Sequence, residues 1–167
     1  MNVTILAANG QIAHLVEERL LTEPTFKDVQ LTLMLRHPER LSELNDNPWV
    51  TLLDGDLTNP TNVIQATKDA DLIWSAVVDH DQTNRPTKNI IAAAKLNGVE
   101  RVVETSLLGL YNEVPGEFGD WNRDYCFNGD PTGTTAVLTD QLLAESGLTY
   151  TPYAYRGLTT GRRLITP

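Results

Sequence analysis

The chain has 167 residues, 41% hydrophobic and 21% charged, with 22 acidic against 13 basic side chains and a net charge of −9. That length makes one domain with a real core, and the acidity argues against general affinity for nucleic acid, whose binding rests on neutralising phosphates. No apolar run approaches the ~20 residues that span a bilayer, no secretory signal opens the sequence, and the single cysteine, Cys126, excludes an internal disulfide and a cysteine-based zinc cluster; a cytoplasmic location is expected.

Val3, Thr4, Ile5 and Leu6 form a β-branched and aliphatic run that predicts a buried strand. Ala7-Ala8-Asn9-Gly10-Gln11 breaks it with small and turn-forming residues. From there Ile12, Leu15, Val16 and Leu20 recur at helical spacing, predicting a helix over 11–21. Strand, tight turn and helix in this order bring backbone N–H groups and the positive end of a helix to one point, where a phosphate can bind. A bare turn of this kind is as often an ordinary connection.

Thr22-Glu23-Pro24 ends the helical period. Residues 29–35 read as the second strand, stopped by Arg36-His37-Pro38, and 39–44 as a short helix before the turn Asn45-Asp46-Asn47-Pro48. Residues 49–53 make the third strand, closed by Asp54-Gly55-Asp56-Leu57, and 61–68 a helix. The run 71–78 is apolar at nearly every position, as in a parallel strand covered on both faces. A helix over 87–97 closes at Gly98, and 99–105 is the fifth strand. Residues 106–130 contain glycine and proline and show no clear element; 134–146 reads as a helix and 148–154 as the sixth strand. The alternation predicts an α/β fold: a doubly wound parallel sheet of about six strands with helices on both faces.

Small residues fall at Ala7, Gly10 and Ala13. This spacing resembles the G-x-x-G-x-x-[GA] signature of the extended and atypical short-chain dehydrogenase/reductases, Rossmann proteins that bind NAD(P). Ala7 stands where that family has its first glycine, so a methyl group is expected to crowd the turn. Arg36 ends the second strand where NAD-specific relatives carry an acid; the resemblance therefore implies NADP(H) in preference to NAD(H), with Arg36 on the 2′-phosphate. Gly55-Asp56-Leu57-Thr58-Asn59 is similar to G-D-[LV]-x-[DN], which implies that Asp56 and the Leu57 N–H meet the adenine. Ser75-Ala76-Val77 resembles the strand end that lies against the cofactor. Gly98-Val99-Glu100-Arg101-Val102-Val103 followed by Thr105-Ser106 resembles G-V-x-R-[VI]-V-x-x-S-S, the run into the active-site serine. The likeness continues through 107–116 and 144–151 and covers most of residues 1–151. It implies cofactor contacts from Ala7, Asn9, Gly10, Gln11, Ile12, Arg36, Asp56, Leu57, Ala76, Val77 and Thr105, and catalytic roles for Ser106 and Tyr111.

The chain departs from the family in three places. No Tyr-x-x-x-Lys occurs, since none of Lys27, Lys68, Lys88 and Lys95 stands four residues after a tyrosine; Tyr111 is the candidate to replace the proton donor, without a lysine to lower its pKa, and packing within the loop is the more common role for such a tyrosine. Pro152-Tyr153-Ala154-Tyr155-Arg156 replaces the family's I-L-R-P-like run. The chain ends at Pro167, where relatives continue, so the substrate-side segment is expected to be missing or shortened. His14, His37 and His80 are dispersed, and Asp79-His80-Asp81 reads as a solvated loop rather than a metal site. The function expected is an NAD(P)H-dependent oxidoreductase acting on a small carbonyl or quinone-like substrate, without nucleic acid or membrane partners and with homo-oligomers allowed. The alternative is a non-catalytic NADP(H)-binding redox sensor. A hydrolase lacks its G-x-S-x-G elbow.

Overall fold

Alternate side chains of each strand point to opposite faces, and here both faces are apolar. The computed structural model, which describes residues 1–155, places Val3 and Ile5 of β1 (Asn2–Leu6) in one core and Leu6 in another. The first core adds Leu31, Leu33 and Leu35 of β2 (Gln30–Leu35), Ala13 of α1 (Gln11–Thr22) and Leu41. On the opposite face, Met34, Ile73 and Val102 pack against α2 (Pro60–Ala66), α3 (Arg85–Asn97) and α5 (Thr135–Glu145), through Val63, Ile90, Ala93, Ala94 and Leu143. With β3 (Val50–Asp54), β4 (Leu72–Ser75), β5 (Arg101–Leu107) and β6 (Thr149–Tyr155), the six strands form one sheet in the order β3-β2-β1-β4-β5-β6. Every pairing is parallel. The order reverses between β1 and β4, the switch point at which open α/β sheets bind ligands.

The doubly wound fold is as the sequence predicts, with local differences. The fourth strand ends at Ser75: Ala76 gives its N–H to Leu6 O at 3.0 Å, and the chain then leaves the sheet to wall a cleft. The stretch after β2 (Pro38–Leu44) is 3₁₀ rather than α-helical, with Leu41 off helical geometry. Asn59 starts α2 by accepting from the Thr61 N–H at 3.0 Å, with Pro60 in the first turn. The unassigned stretch contains a full helix, α4 (Gly116–Phe127). Its aromatic residues Phe118, Trp121 and Tyr125 face solvent, stacked at 5.7 and 5.1 Å between ring centroids, so no inward-facing apolar period marked it. Phe127 anchors it in a third cluster with Leu110, Ala136 and Val137.

Candidate dinucleotide site

The turn leaving β1 is built without a glycine at its tightest point. Ala7 adopts a left-handed backbone, φ +61°, while Ala8 donates to Met34 O at 3.1 Å and Gly10 to Ala7 O at 3.3 Å. Gly10 precedes α1 and offers no side-chain cap to its first turn. The orphan N–H groups there, including those of Gln11 and Ile12, are therefore open to an anion at the positive helix end.

Two lobes of one cleft meet at this turn, sharing Ala7, Leu35, Arg36 and Val77. One, about 460 Å³, is bounded by Asn9, Gly10, Arg36, His37, Arg40 and Ala76. Its cations are held by the chain reversal after β2: His37 is left-handed at φ +64°, its N–H directed to Asp54 Oδ1 at 3.4 Å and its Nδ1 3.2 Å from Glu39 Oε1. Among the described residues neither Arg36 nor Arg40 is engaged in an ion pair. That lobe is a ready anion site.

The other lobe, about 340 Å³, runs past Gly55, Asp56, Leu57 and Thr58 and under the loop from Val77 to Asp81, reaching Thr87, Ile90 and Glu104. Asp56 Oδ1 accepts from the Thr58 N–H and Oγ1, both at 2.8 Å. The backbone bond first, then the hydroxyl bond and the nearby Arg36 charge, hold its carboxyl below the usual range. Leu57 O accepts from Asn89 Nδ2 at 2.8 Å, tying this loop to α3. A Cβ at Gly55 would lie 2.7 Å from Met34 Sδ, so any larger residue there must displace the buried Met34 side chain. On the far wall Asp79, 4% exposed, accepts from the Thr87 N–H at 3.1 Å and Oγ1 at 2.6 Å. Thr87 in turn lies 3.1 Å from Thr139 Oγ1, which accepts from Asn84 Nδ2 at 2.8 Å. The loop after β4 is thereby fastened to α3 and α5.

Of the residues singled out from sequence, Ala7, Asn9, Gly10, Arg36, Asp56, Leu57, Ala76 and Val77 line the cleft. Gln11 and Ile12 sit beside it in the first turn of α1. Thr105 is on the opposite face of β5, accepting from Trp74 Nε1 at 3.4 Å. Ser106 is buried within β5 rather than following it. Tyr111 lies beyond β5 and donates to Asp140 Oδ2 at 2.8 Å. Partial burial first, then this bond and the carboxylate charge, push the phenol well above the usual tyrosine range, making it a poorer acid than a free one. Sequence reasoning missed Arg40, Thr87 and Glu104. Arg40 was visible in the run Arg36-His37-Pro38-Glu39-Arg40, and Glu104 as the acid between Val102-Val103 and Thr105-Ser106. Among the described residues no cluster of His, Cys, Asp or Glu suits a metal, and no helix is long and apolar enough to cross a membrane.

A parallel sheet with a switch-point cleft, an uncapped helix start and a basic lobe defines a dinucleotide-binding α/β domain of Rossmann type. The chain belongs to the NAD(P)H-binding family, whose model matches residues 7–164. A wide-type short-chain dehydrogenase/reductase of Veillonella parvula in complex with NADP is 28% identical, with a TM-score of 0.75 over 90% of this chain and 67% of that one. An NADPH-dependent quinone oxidoreductase of Escherichia coli complexed with NADPH is 25% identical, with a TM-score of 0.65 over 90% of this chain and 47% of that one. A triphenylmethane reductase of Citrobacter with NADP(H), 19% identical, shares the fold, with a TM-score of 0.67 over 91% of this chain and 48% of that one. The chain thus spans about two-thirds of the first relative and about half of the other two. No curated protein sequence matches it.

Proposed function

We propose that the protein is an NADP(H)-dependent reductase of a quinone-like or small carbonyl substrate. The observation that carries the cofactor preference is the lobe holding Arg36, His37 and Arg40 beside the phosphate turn. A 2′-phosphate there meets two guanidinium groups, each able to pair with it in a fork, whereas an unphosphorylated ribose leaves them unmatched. The α1 N-terminus takes the pyrophosphate, and the Asp56–Leu57 loop takes the adenine. When bound, the cofactor supplies the hydride, and the chain's own residues orient it and exclude water. The NADP and NADPH held by two of these relatives support this reading.

Titration with NADPH and NADH by calorimetry tests it. NADPH is expected to bind more tightly, and Arg36→Ala to remove about 1.5–3 kcal/mol of that preference, nearer the lower figure because the group is solvent-exposed. Equal affinities in the unaltered protein overturn the preference. A second reading, a binding protein that senses redox state without turnover, is favoured by the way Asp140 holds the Tyr111 phenol and raises its pKa. Single-turnover mixing of the NADPH-loaded protein with a quinone separates the two: oxidation of the cofactor establishes the reductase.

A further inference from the structure

The helix α4 turns its aromatic side outward. Phe118, Trp121 and Tyr125 stand three and four residues apart, on one face, and are 48%, 52% and 76% exposed. Their rings stack at 5.7 and 5.1 Å, the second pair within 11° of parallel. The side turned to the protein buries Gly119, Asn122 and Phe127, and no side chain caps the first turn. A helix of this length takes most of its stability from packing an apolar face. Among the described residues, the ring face of α4 is left open to solvent. An exposed acid stands immediately before each ring: Glu117, Asp120 and Asp124. With 3.6 residues per turn, these carboxylates run as a row along one side of the ring stack. Among the described residues the one ion pair on that row joins Asp120 to Arg123, at 3.7 Å.

Stacked rings edged by carboxylates suit a guanidinium group, which lies flat on an aromatic face while its N–H groups reach a carboxylate. A second copy of α4 would bring a like row of acids, and an uncharged segment would leave the row unmatched. The chain itself carries the complement. Residues 156–167, outside the described residues, contain Arg156, Arg162 and Arg163 and none of the 22 acidic side chains. They set off beside α4. Tyr155, the last residue of β6, pairs with Leu107, and Leu107 packs on the cluster that holds Phe127, the last residue of α4. The seven residues from Tyr155 to Arg162 reach up to ~23 Å when extended, more than the ~18 Å length of α4.

We propose that residues 156–167 dock on the exposed ring face of α4 in the same chain, with their arginines over Trp121 and Tyr125 and against the carboxylates beside them. The proposal concerns an interaction surface and stands apart from the reductase reading. Docking there gives α4 the packed face that the described residues do not supply, and it matches the acid row with positive charge. Each exposed guanidinium–ring contact is weak, so the segment is held by several together, and the charge pairing weakens with salt.

The single cysteine, Cys126, is exposed next to Tyr125 and serves as the probe. In the full chain a second cysteine is placed singly as Thr159→Cys, Thr160→Cys or Leu164→Cys, and the protein is equilibrated with a glutathione buffer. The disulfide yield reads the effective concentration of the segment at α4. In at least one position it should exceed the mM level of a flexible tether by about tenfold or more. Trp121→Ala, and separately Arg162→Gln combined with Arg163→Gln, should each lower it by about 5-fold or more. Salt at about 1 M should lower it as well. Acrylamide should quench tryptophan emission more strongly in the double arginine variant than in the unaltered chain. A value at the tether level in all three positions, or one that either variant leaves unmoved, overturns the proposal. Disulfides formed between chains instead of within them overturn it too, and assign the face to the segment of a second copy.

Discussion

Ala7 shows how one methyl group can tax a binding turn. An L-residue in the left-handed region costs about 1–2 kcal/mol, whereas glycine there forfeits about 0.5–1 kcal/mol of chain entropy. With φ at +61° the strain outweighs the entropy. Ala7→Gly is therefore expected to leave stability unchanged or raised by up to about 1 kcal/mol and to tighten NADPH. Urea unfolding and NADPH titration check this, and weaker binding in the glycine variant would show that the methyl group contributes a contact. Glu17 makes a different case on the inward face of α1, one turn after Ala13. It is 4% exposed, with Oε2 3.3 Å from His14 Nδ1 and Oε1 unpartnered. Burial first, then the Glu43 charge, raise its pKa to about 7. Because the folded value lies above the unfolded one, its contribution to stability is full below the ordinary carboxyl range and is lost as pH rises to about 7. The loss is on the order of 3 kcal/mol, less whatever a protonated His14 offsets. Glu17→Gln should raise Tm on the alkaline side and flatten its pH dependence between those limits; equal melting curves at high pH would place the carboxylate in water.

At the scale of the element, α4 is packed against the loop before it with no room for one more methyl group. A Cβ on Gly119 would stand 1.9 Å from Val114 O, a backbone atom that cannot swing away. Gly119→Ala should destabilise by about 1–3 kcal/mol or more, seen as a lower urea midpoint, while NADPH affinity holds because α4 does not line the cleft. A wild-type midpoint would mean that the helix shifts freely on its loop. The same helix marks where the sequence stopped being legible. The strands were readable because their apolar runs are buried on both faces, as Ile5, Leu33 and Ile73 are. In α4 Phe118, Trp121 and Tyr125 face outward, and the buried positions are Gly119, Asn122 and, at its last residue, Phe127, so periodicity pointed the wrong way. In the site, Gly10, Arg36 and Asp56 were legible from local order along the chain. Arg40 joins the cleft through the local 3₁₀ turn after Arg36, whereas Thr87 does so only through the fastening of the β4 loop to Asp79. Glu104 needed the sheet register to find its place under the cleft.

For the whole molecule, the arrangement of charge matters more than its sum. A chain of net charge −9 repels an anionic dinucleotide at long range, and the attraction comes from one lobe with Arg36 and Arg40 unpaired among the described residues. Screening is strong beyond ~8 Å at physiological salt, so the distant acids are muted while contacts within the lobe persist. A ligand that binds only the folded chain stabilises it by about 2.7 kcal/mol when present at a hundred times its Kd. NADPH and NADH differ solely at the 2′-phosphate, so their thermal shifts at equal concentration isolate the lobe. The shift with NADPH should exceed that with NADH. Arg40→Ala should bring the two closer together, Arg36→Ala closer still, and neither should alter the melting of the ligand-free protein by more than about 0.5 kcal/mol, as befits exposed side chains. If Arg40→Ala leaves the NADPH shift intact while Arg36→Ala removes it, the phosphate is held by Arg36 alone and Arg40 serves the rim. If both variants lower the NADPH and NADH shifts equally, the lobe reads the pyrophosphate rather than the 2′-phosphate, and the preference for NADP(H) falls.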